Sequence, residues 1–241
     1  MLYKKKEISL ILDVIILGAT SYPELSELIS DINAVEKKIR VIGLLDDDIS
    51  LHDTSILGVK VLGELKESTS FPENVGFILG VGSMKNRMVR HSILSKLGIA
   101  PERFPNLIHP TVKIFSSSSI GYGIIIHYGS IIFNDVVMNN HALIMAQTLI
   151  GARNVVGEGA VIASQVSTTS DVKLGSYSYV GTNSTISEMV EVGPGAAVSI
   201  GSVVYRDVRA GAQIFGNPAR IVDGIEVSEE ILDIWKNQKV R

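Results

Sequence analysis

The sequence predicts a small α/β unit followed by a long coil of parallel β-strands. Two patterns carry that reading: an aliphatic residue at every sixth position through the second half, and an alternation of strand, turn and helix through the first. The composition agrees. Of 241 residues, 46% are hydrophobic but only 6% aromatic, with Gly 22 against Pro 7, so a large aliphatic content must be spread along the chain. That length buries a real core in one to two domains.

Lys plus Arg number 22 and Asp plus Glu 25, a net charge of −3. With 20% charged residues, this balance argues against a nucleic-acid partner or a polybasic membrane surface. The absence of cysteine removes disulfides, thiolate metal sites and a cysteine nucleophile together. Lys4-Lys5-Lys6 before Ile8 to Leu12 loosely imitates a signal peptide, but Asp13 interrupts it and no small-residue cleavage site follows. No run reaches the ~18 apolar residues of a membrane span. A cytoplasmic protein with no membrane partner is expected.

Val14 to Leu17 reads as a strand, Gly18-Ala19-Thr20-Ser21 as a turn and Glu24 to Glu36 as a helix. Leu25, Leu28, Ile29 and Ile32 stand at helical spacing, and Pro23 suits a first helical position. A second strand, Val41 to Leu45, ends at Asp46-Asp47-Asp48. Strands at Val59 to Leu62 and Val75 to Leu79 follow, then a helix near Met84 to Leu97. This alternation predicts a small parallel sheet with ligand groups at the carboxyl ends of its strands. The first turn lacks the later glycines of a dinucleotide fingerprint. The three aspartates read as a solvated turn, with base or ribose recognition as the alternative.

Stepping by six from Ile108 meets Ile114, Ile120, Ile126, Ile132, Met138, Ile144, Ile150, Val156, Ile162, Thr168, Leu174, Val180, Ile186, Val192, Val198 and Val204. Thr168 alone is not aliphatic. A helix would scatter this period around its surface, and a simple strand alternates every two residues. A chain that turns a corner every six residues instead stacks one aliphatic per side into an interior column. Gly121, Gly151, Gly157, Gly175, Gly181 and Gly193 follow column residues and are expected to permit the corners' backbone angles. Four places after a column residue the side chain is often small, as at Ser118, Ser130, Ala142, Thr148, Ala160, Ser178, Ser184, Ala196 and Ser202.

Ser228 can cap a last helix with Glu229 and Glu230 in its first turn and Lys236, Lys239 and Arg241 at its end, a charge order that suits the dipole. Ile231, Leu232 and Trp235 give it an apolar stripe for packing on the coil or a neighbouring subunit. His109 and His127 stand one coil apart and are expected as exposed corner residues. His141 falls on a different face from Ala152, and His52 and His91 fall in the small domain. No histidine pair has metal-ligand spacing, so no metal is expected. Ser116 to Ser119 reads as a solvated corner.

The repeat resembles that of the hexapeptide-repeat acyltransferases, and its end, Gly201 to Val208 followed by Gly211 and Gly216-Asn217-Pro218-Ala219-Arg220, resembles that family's closure. The two halves together, roughly Asp13 to Val222, resemble nucleotide-sugar N-acetyltransferases of the PglD and NeuD type. The matching residues are Gly18-Ala19, Gly43 to Asp48, Gly58 to Gly63, Gly82 with Lys85 and Arg87, and Ile108-His109-Pro110. The resemblance implies a left-handed parallel β-helix of three faces, a homotrimer, and acetyl-CoA held between neighbouring helices. It implies a Rossmann-like nucleotide-sugar domain over 1–107, the β-helix over 108–222 and a C-terminal helix over 223–241.

It further implies a UDP- or dTDP-amino sugar at Gly18, Ala19, Thr20, Tyr22, Asp46, Asp47 and Lys85, and acetyl-CoA at Ser170, Gly201, Gly216, Asn217 and Arg220. In such enzymes a histidine takes the proton of the attacking amine, oriented by an acidic neighbour. A gapless match puts the histidine on Ala152, the acid on Arg153, an asparagine on Met145 and a second histidine on Val161. Alanine, methionine and valine cannot move a proton, and arginine stays cationic. In the first loop, Thr20 and Ser21 add side chains where glycine would offer amides to phosphate, and Tyr22 replaces a histidine facing the sugar. The expectation is therefore a silent or impaired homologue supporting an active paralogous acetyltransferase, with an active enzyme lacking a histidine base as the alternative.

Overall fold

The computed structural model describes residues 11–36, 38–81 and 87–238. The chain forms two compact units, Met1–Gly80 and Val81–Arg241. Lys4, Lys5, Lys6, Gly82, Lys85, Lys239 and Arg241, singled out above, lie outside the described residues.

In the first unit, strand β1 (Leu12–Leu17) leads through a 3-10 turn, Ala19–Ser21, into helix α1 (Tyr22–Val35). The helix starts two residues earlier than expected because Pro23 belongs to its first turn, where a missing N–H has no intrahelical partner to lose. Strands β2 (Ile39–Leu45), β3 (Ser55–Ile56), β4 (Val59–Gly63) and β5 (Gly76–Leu79) complete a sheet of order β3-β4-β2-β1-β5. All neighbours run parallel except the short β3, a hairpin partner of β4. Val14, Ile15, Ile16 and Leu17 are fully buried, and Leu25, Leu28 and Ile29 of α1 are also buried.

The second unit opens with helix α2 (Arg87–Leu97) and continues as seventeen two-residue strands, β6 (Leu107–Ile108) to β22 (Val203–Val204), one every six residues. Each strand pairs in parallel with the one three steps on, so one coil is eighteen residues and the strands stack into three faces. The first face carries Ile108, Ile126, Ile144, Ile162, Val180 and Val198. The second carries Ile114, Ile132, Ile150, Thr168, Ile186 and Val204, and the third Ile120, Met138, Val156, Leu174 and Val192. From Ile126 to Val204 every column residue is buried, whereas Ile108, Ile114 and Ile120 at the open first coil are only partly so. This is the left-handed parallel β-helix expected. A hairpin of β23 (Ala212–Gly216) and β24 (Ala219–Gly224) closes the far end, and helix α3 (Glu229–Gln238) follows.

The expected role of the glycines needs correction. From Ile120 to Val198, left-handed backbone falls at the third residue after each column position, and most of those corners are not glycine: Asp135, His141, Gln147, Arg153, Gln165, Asp171, Tyr177, Asn183 and Met189 all have φ between 55° and 61°. The glycines immediately after column residues have no positive φ. They serve close stacking instead: a Cβ on Gly157 would lie 2.4 Å from the Ser176 nitrogen, one coil on.

Helices α2 and α3 both pack against the coil. Arg87 Nε donates to the Gly195 carbonyl at 2.9 Å, and Arg90 donates to the His141 carbonyl, so α2 satisfies outward carbonyls along one corner. His91 lies against the Tyr177 ring, with ring centroids 5.1 Å apart. Ile231 and Trp235 of α3 are buried, Trp235 Nε1 donates to Glu191 at 2.9 Å, and Gln238 Oε1 accepts from the Glu158 N–H and the Ser176 hydroxyl. The apolar stripe thus packs on its own chain's third face. His127, expected as an exposed corner residue, is 7% exposed. Ser118 is likewise no solvated residue: its hydroxyl donates to the Phe133 carbonyl at 2.6 Å.

Candidate functional site

Two places carry the residues singled out above: the strand ends of the first unit and the corners of the coil. In the first unit, the carboxyl ends of β1, β2 and β5 meet at Gly18, Asp46 and Gly80, held by Gly18 N–H to Leu45 O at 2.9 Å and Gly80 N–H to Leu17 O at 2.8 Å. Asp46 accepts the Ala19 N–H at 2.7 Å and the Asp48 N–H at 3.0 Å, while its carbonyl receives His52 Nε2 at 2.8 Å. Asp47 accepts the Leu65 N–H at 2.9 Å. Asp48 accepts both the amide and the hydroxyl of Ser50, which hold its carboxyl below the usual range.

The three aspartates therefore tie the turns that follow the strands rather than forming a free acidic loop. Thr20 is exposed at the turn, and the Ser21 hydroxyl donates to Gly18 O at 2.7 Å, in the space left by Gly80's missing side chain. Tyr22 is buried in the unit's interior, and that burial pushes its phenol pKa up. Of the expected nucleotide-sugar residues, Gly18, Ala19, Thr20, Asp46 and Asp47 gather at the strand ends.

In the coil, Ala152 and Arg153 occupy the corner Gly151–Asn154, between the second and third faces. Arg153 makes a bidentate pair with Asp171, stacked one coil on, at 2.8 and 2.7 Å. Asp171 is held below the usual carboxylate range by the Arg153 hydrogen bonds, and Asp135, one coil before, by hydrogen bonds with Asn134 and Ser117. Both acids are poor proton acceptors at neutral pH. Met145 stands where the first face turns toward the second, and Val161 lies on a strand of the first face, so neither shares the Ala152 corner. His141 lies between the third and first faces, as expected.

Ser170 sits on the Ala152 corner one coil on, with Asp171 N–H bonded to Ala152 O at 2.9 Å. Gly201 lies between the first and second faces, beside the closing hairpin, where Gly216 N–H reaches the Ser202 hydroxyl at 3.2 Å. Asn217 and Arg220 are exposed on that hairpin. One protomer thus presents the expected acetyl-CoA positions on two different edges. No helix of the described residues is long and apolar enough to cross a membrane. No group of three or more His, Cys, Asp or Glu side chains suited to a metal occurs among the described residues.

Sequence reasoning missed two arrangements. Asn154 and Thr168 form a fully buried polar pair inside the coil beneath the Ala152 corner; the break at Thr168 in the aliphatic column was its signal. The second is the cluster of Arg90, His141, Tyr177 and Glu158 under α2, where the Tyr177 hydroxyl donates to Glu158 at 2.7 Å and burial pushes the phenol pKa far up. No periodicity announces that cluster.

Because Arg153 and Asp171 are both partly exposed, Arg153→Ala is expected to lower Tm only slightly. The loss should shrink between about 0.1 M and about 1 M salt as the Debye length falls. Melting curves at the two salt concentrations check it.

The sequence pattern of the PglD N-terminal domain family matches residues 13–97. A 2,3,4,5-tetrahydropyridine-2,6-dicarboxylate N-acetyltransferase of Clostridium perfringens is 41% identical over 58 residues, which are 22% of this chain and 25% of that protein. The curated relatives are matched over no more than 36% of their own length. Among solved structures, the acetyltransferase domain of PglB from Neisseria gonorrhoeae in complex with acetyl coenzyme A superposes with a TM-score of 0.75 at 21% identity, over 88% of this chain and 100% of that one. PerB from Caulobacter crescentus in complex with CoA and GDP-perosamine gives 0.72 at 20% identity, over 88% and 97%. The fold is shared along nearly the whole chain.

Proposed function

We propose that this chain is a homologue of acetyl-CoA-dependent nucleotide-sugar N-acetyltransferases that keeps their coil and lacks ordinary turnover. In this reading it acts in the cytoplasm as a homotrimer and supports an active paralogue, as a folding or assembly partner. The observation that carries it is the corner Gly151–Asn154: Ala152 has no ionisable group, and Arg153 is committed to Asp171.

Acetyl transfer to a sugar amine forms a C–N bond and breaks the thioester C–S bond. The amine's surplus proton must leave, and CoA departs with the C–S electron pair as a thiolate that takes up a proton or stays anionic. No side chain at this corner takes that proton: Asp135 and Asp171 are held ionised by their hydrogen bonds and by Arg153. Loss of a general base alone slows such a reaction by about 10²–10⁴-fold. The strand-end residues Gly18, Ala19, Thr20 and Asp46 are the proposed nucleotide-sugar contacts, with Tyr22, Asp47 and Lys85 the remaining candidates. Ser170, Gly201, Gly216, Asn217 and Arg220 are the proposed acetyl-CoA contacts, completed by a second copy because one protomer sets them on separate edges. The likeness to structures holding CoA with GDP-perosamine supports this assignment.

The test is thiol release from acetyl-CoA with a panel of GDP-, UDP- and dTDP-linked amino sugars. Release at or near the uncatalysed rate is expected. Robust turnover would establish the alternative, an active N-acetyltransferase in which the thiolate or the amine's own equilibrium handles the proton.

A further inference from the structure

From His109 to Ser187, each backbone amide that follows a column residue donates to the carbonyl of the column residue one coil on, with Gly151 the exception. The Gly151 N–H instead donates to the Thr168 side-chain oxygen at 3.0 Å. Thr168 Oγ1 also receives Asn154 Nδ2 at 2.6 Å and donates to Leu149 O at 3.3 Å, while Asn154 Oδ1 accepts the Val172 N–H at 2.8 Å. Both side chains are fully buried. Strand pairing here is confined to Leu149 with Ser167, whereas the next coil pairs both Ser167 with Thr185 and Thr168 with Ile186.

These four bonds concern one corner. The inward residues stacked with Asn154 are Val136, Val172 and Val190, and those stacked with Thr168 are Ile150 and Ile186. Apolar residues at both levels leave the ladder intact in the coils above and below. The polar pair is self-satisfied, so it persists without desolvation loss, but it draws the Gly151 amide off the ladder. Gly151 also lies close against the next coil, where an added Cβ would stand 2.2 Å from the Thr169 carbonyl oxygen.

We infer that Asn154 and Thr168 are positioning residues that set the course of the Gly151–Asn154 corner, and that they, together with Ala152, keep this corner from presenting a proton acceptor. The second clause rests on the reading proposed above; the first does not. An imidazole introduced at 152 alone would follow a Gly151 amide drawn off the ladder, and a misplacement of about 1 Å costs on the order of 10²-fold in rate.

The experiment has a structural arm and a kinetic arm. Asn154→Val/Thr168→Val removes both partners at once, which avoids orphaning either. Its crystal structure is expected to show the Gly151 N–H on the residue 168 carbonyl at about 2.9 Å. A corner that keeps its present course overturns the inference, whatever the activity. In the kinetic arm, Ala152→His combined with the double replacement is expected to release thiol from acetyl-CoA at least about tenfold faster than Ala152→His alone, over the same amino-sugar panel. The gained rate should rise through the imidazole's ionisation near about pH 6.5. Thr168→Ser with Ala152→His keeps the hydroxyl and should stay at the level of Ala152→His. Equal rates for Ala152→His with and without the double replacement overturn the inference. Turnover by the unaltered chain overturns the proposed silence instead, and the crystal structure then still decides the corner.

Discussion

Gly157→Ala is expected to destabilise the protein far more than Gly201→Ala, although Gly201 is the residue with left-handed backbone. At Gly157 a Cβ would meet the Ser176 nitrogen at 2.4 Å and the Gly175 carbonyl carbon at 2.6 Å. Neither atom can withdraw, because Gly157 N–H is bonded to Leu174 O at 2.7 Å and Tyr177 N–H to Glu158 O at 2.7 Å, so the two coils are fixed to each other on both sides of the contact. Forcing them apart costs about 3 kcal/mol, the upper part of the overpacking range. At Gly201 φ is +66° and nothing lies within 4 Å of the added carbon, so only the backbone preference of about 1–2 kcal/mol is lost. For a chain of this length each kcal/mol moves Tm by about 2–4 °C, so the losses separate clearly. Urea unfolding of the two variants checks the order. Equal losses would mean that corner angle, and not coil contact, sets the requirement for glycine.

That contrast also marks where sequence reading stopped. The column from Ile108 to Val204 was legible because every coil repeats the same burial at the same phase, so seventeen positions report one geometry. The glycines were legible as a pattern and misread as to cause: position relative to the column says that a residue is special, but the neighbour that crowds it stands eighteen residues away. The first-unit strands could be read from short apolar runs, since their buried faces are continuous in sequence, and only the two-residue β3 escaped.

Placement of α2 was not legible. Its helical pattern is compatible with packing on the small sheet, and what seats it on the coil is a pair of arginines meeting backbone carbonyls, Gly195 O and His141 O. Backbone carbonyls have no sequence signature. Nor does the sequence show how deeply Tyr22 is set: the residue is only 8% exposed. At the Ala152 corner the residue types are legible one by one, whereas the Arg153–Asp171 pair needs the coil's register to bring positions eighteen apart into contact.

Acidification from about pH 6.5 to pH 4 is expected to withdraw roughly 3 kcal/mol of stability through His141 alone. The residue is 5% exposed, its ring packs edge-on against Phe104 at 4.6 Å, and its Nδ1 has no hydrogen-bond partner among the described residues. Burial first, and the Arg90 guanidinium second, push its pKa from 6.5 down to about 4. Arg90 stays cationic at neutral pH even though burial lowers it to about 10, because it donates to the carbonyls of Val81 and His141. The other ionisable groups of the cluster are Tyr177, Glu158, His91 and Glu230, from the corner, α2 and α3.

The sign follows from proton counts. Between about pH 6.5 and pH 4 the unfolded chain holds a proton on His141 that the folded chain does not, so stability rises with pH across that window. The contribution is fully present above the unfolded value and falls by about 1.4 kcal/mol per unit on the way down, levelling off below pH 4. Carboxylates also begin to titrate near the bottom of the window, so the measurable quantity is a difference between two proteins. His141→Gln suits the comparison, because Gln147 and Gln165 already hold the same left-handed corner position, at φ 57° and 60°. In urea unfolding at stepped pH, the stability difference between the unaltered protein and His141→Gln should shift by roughly 3 kcal/mol toward the variant between pH 7 and pH 4. Parallel curves would place the proton on His141 in both states, and Arg90 could not then be the buried cation that excludes it.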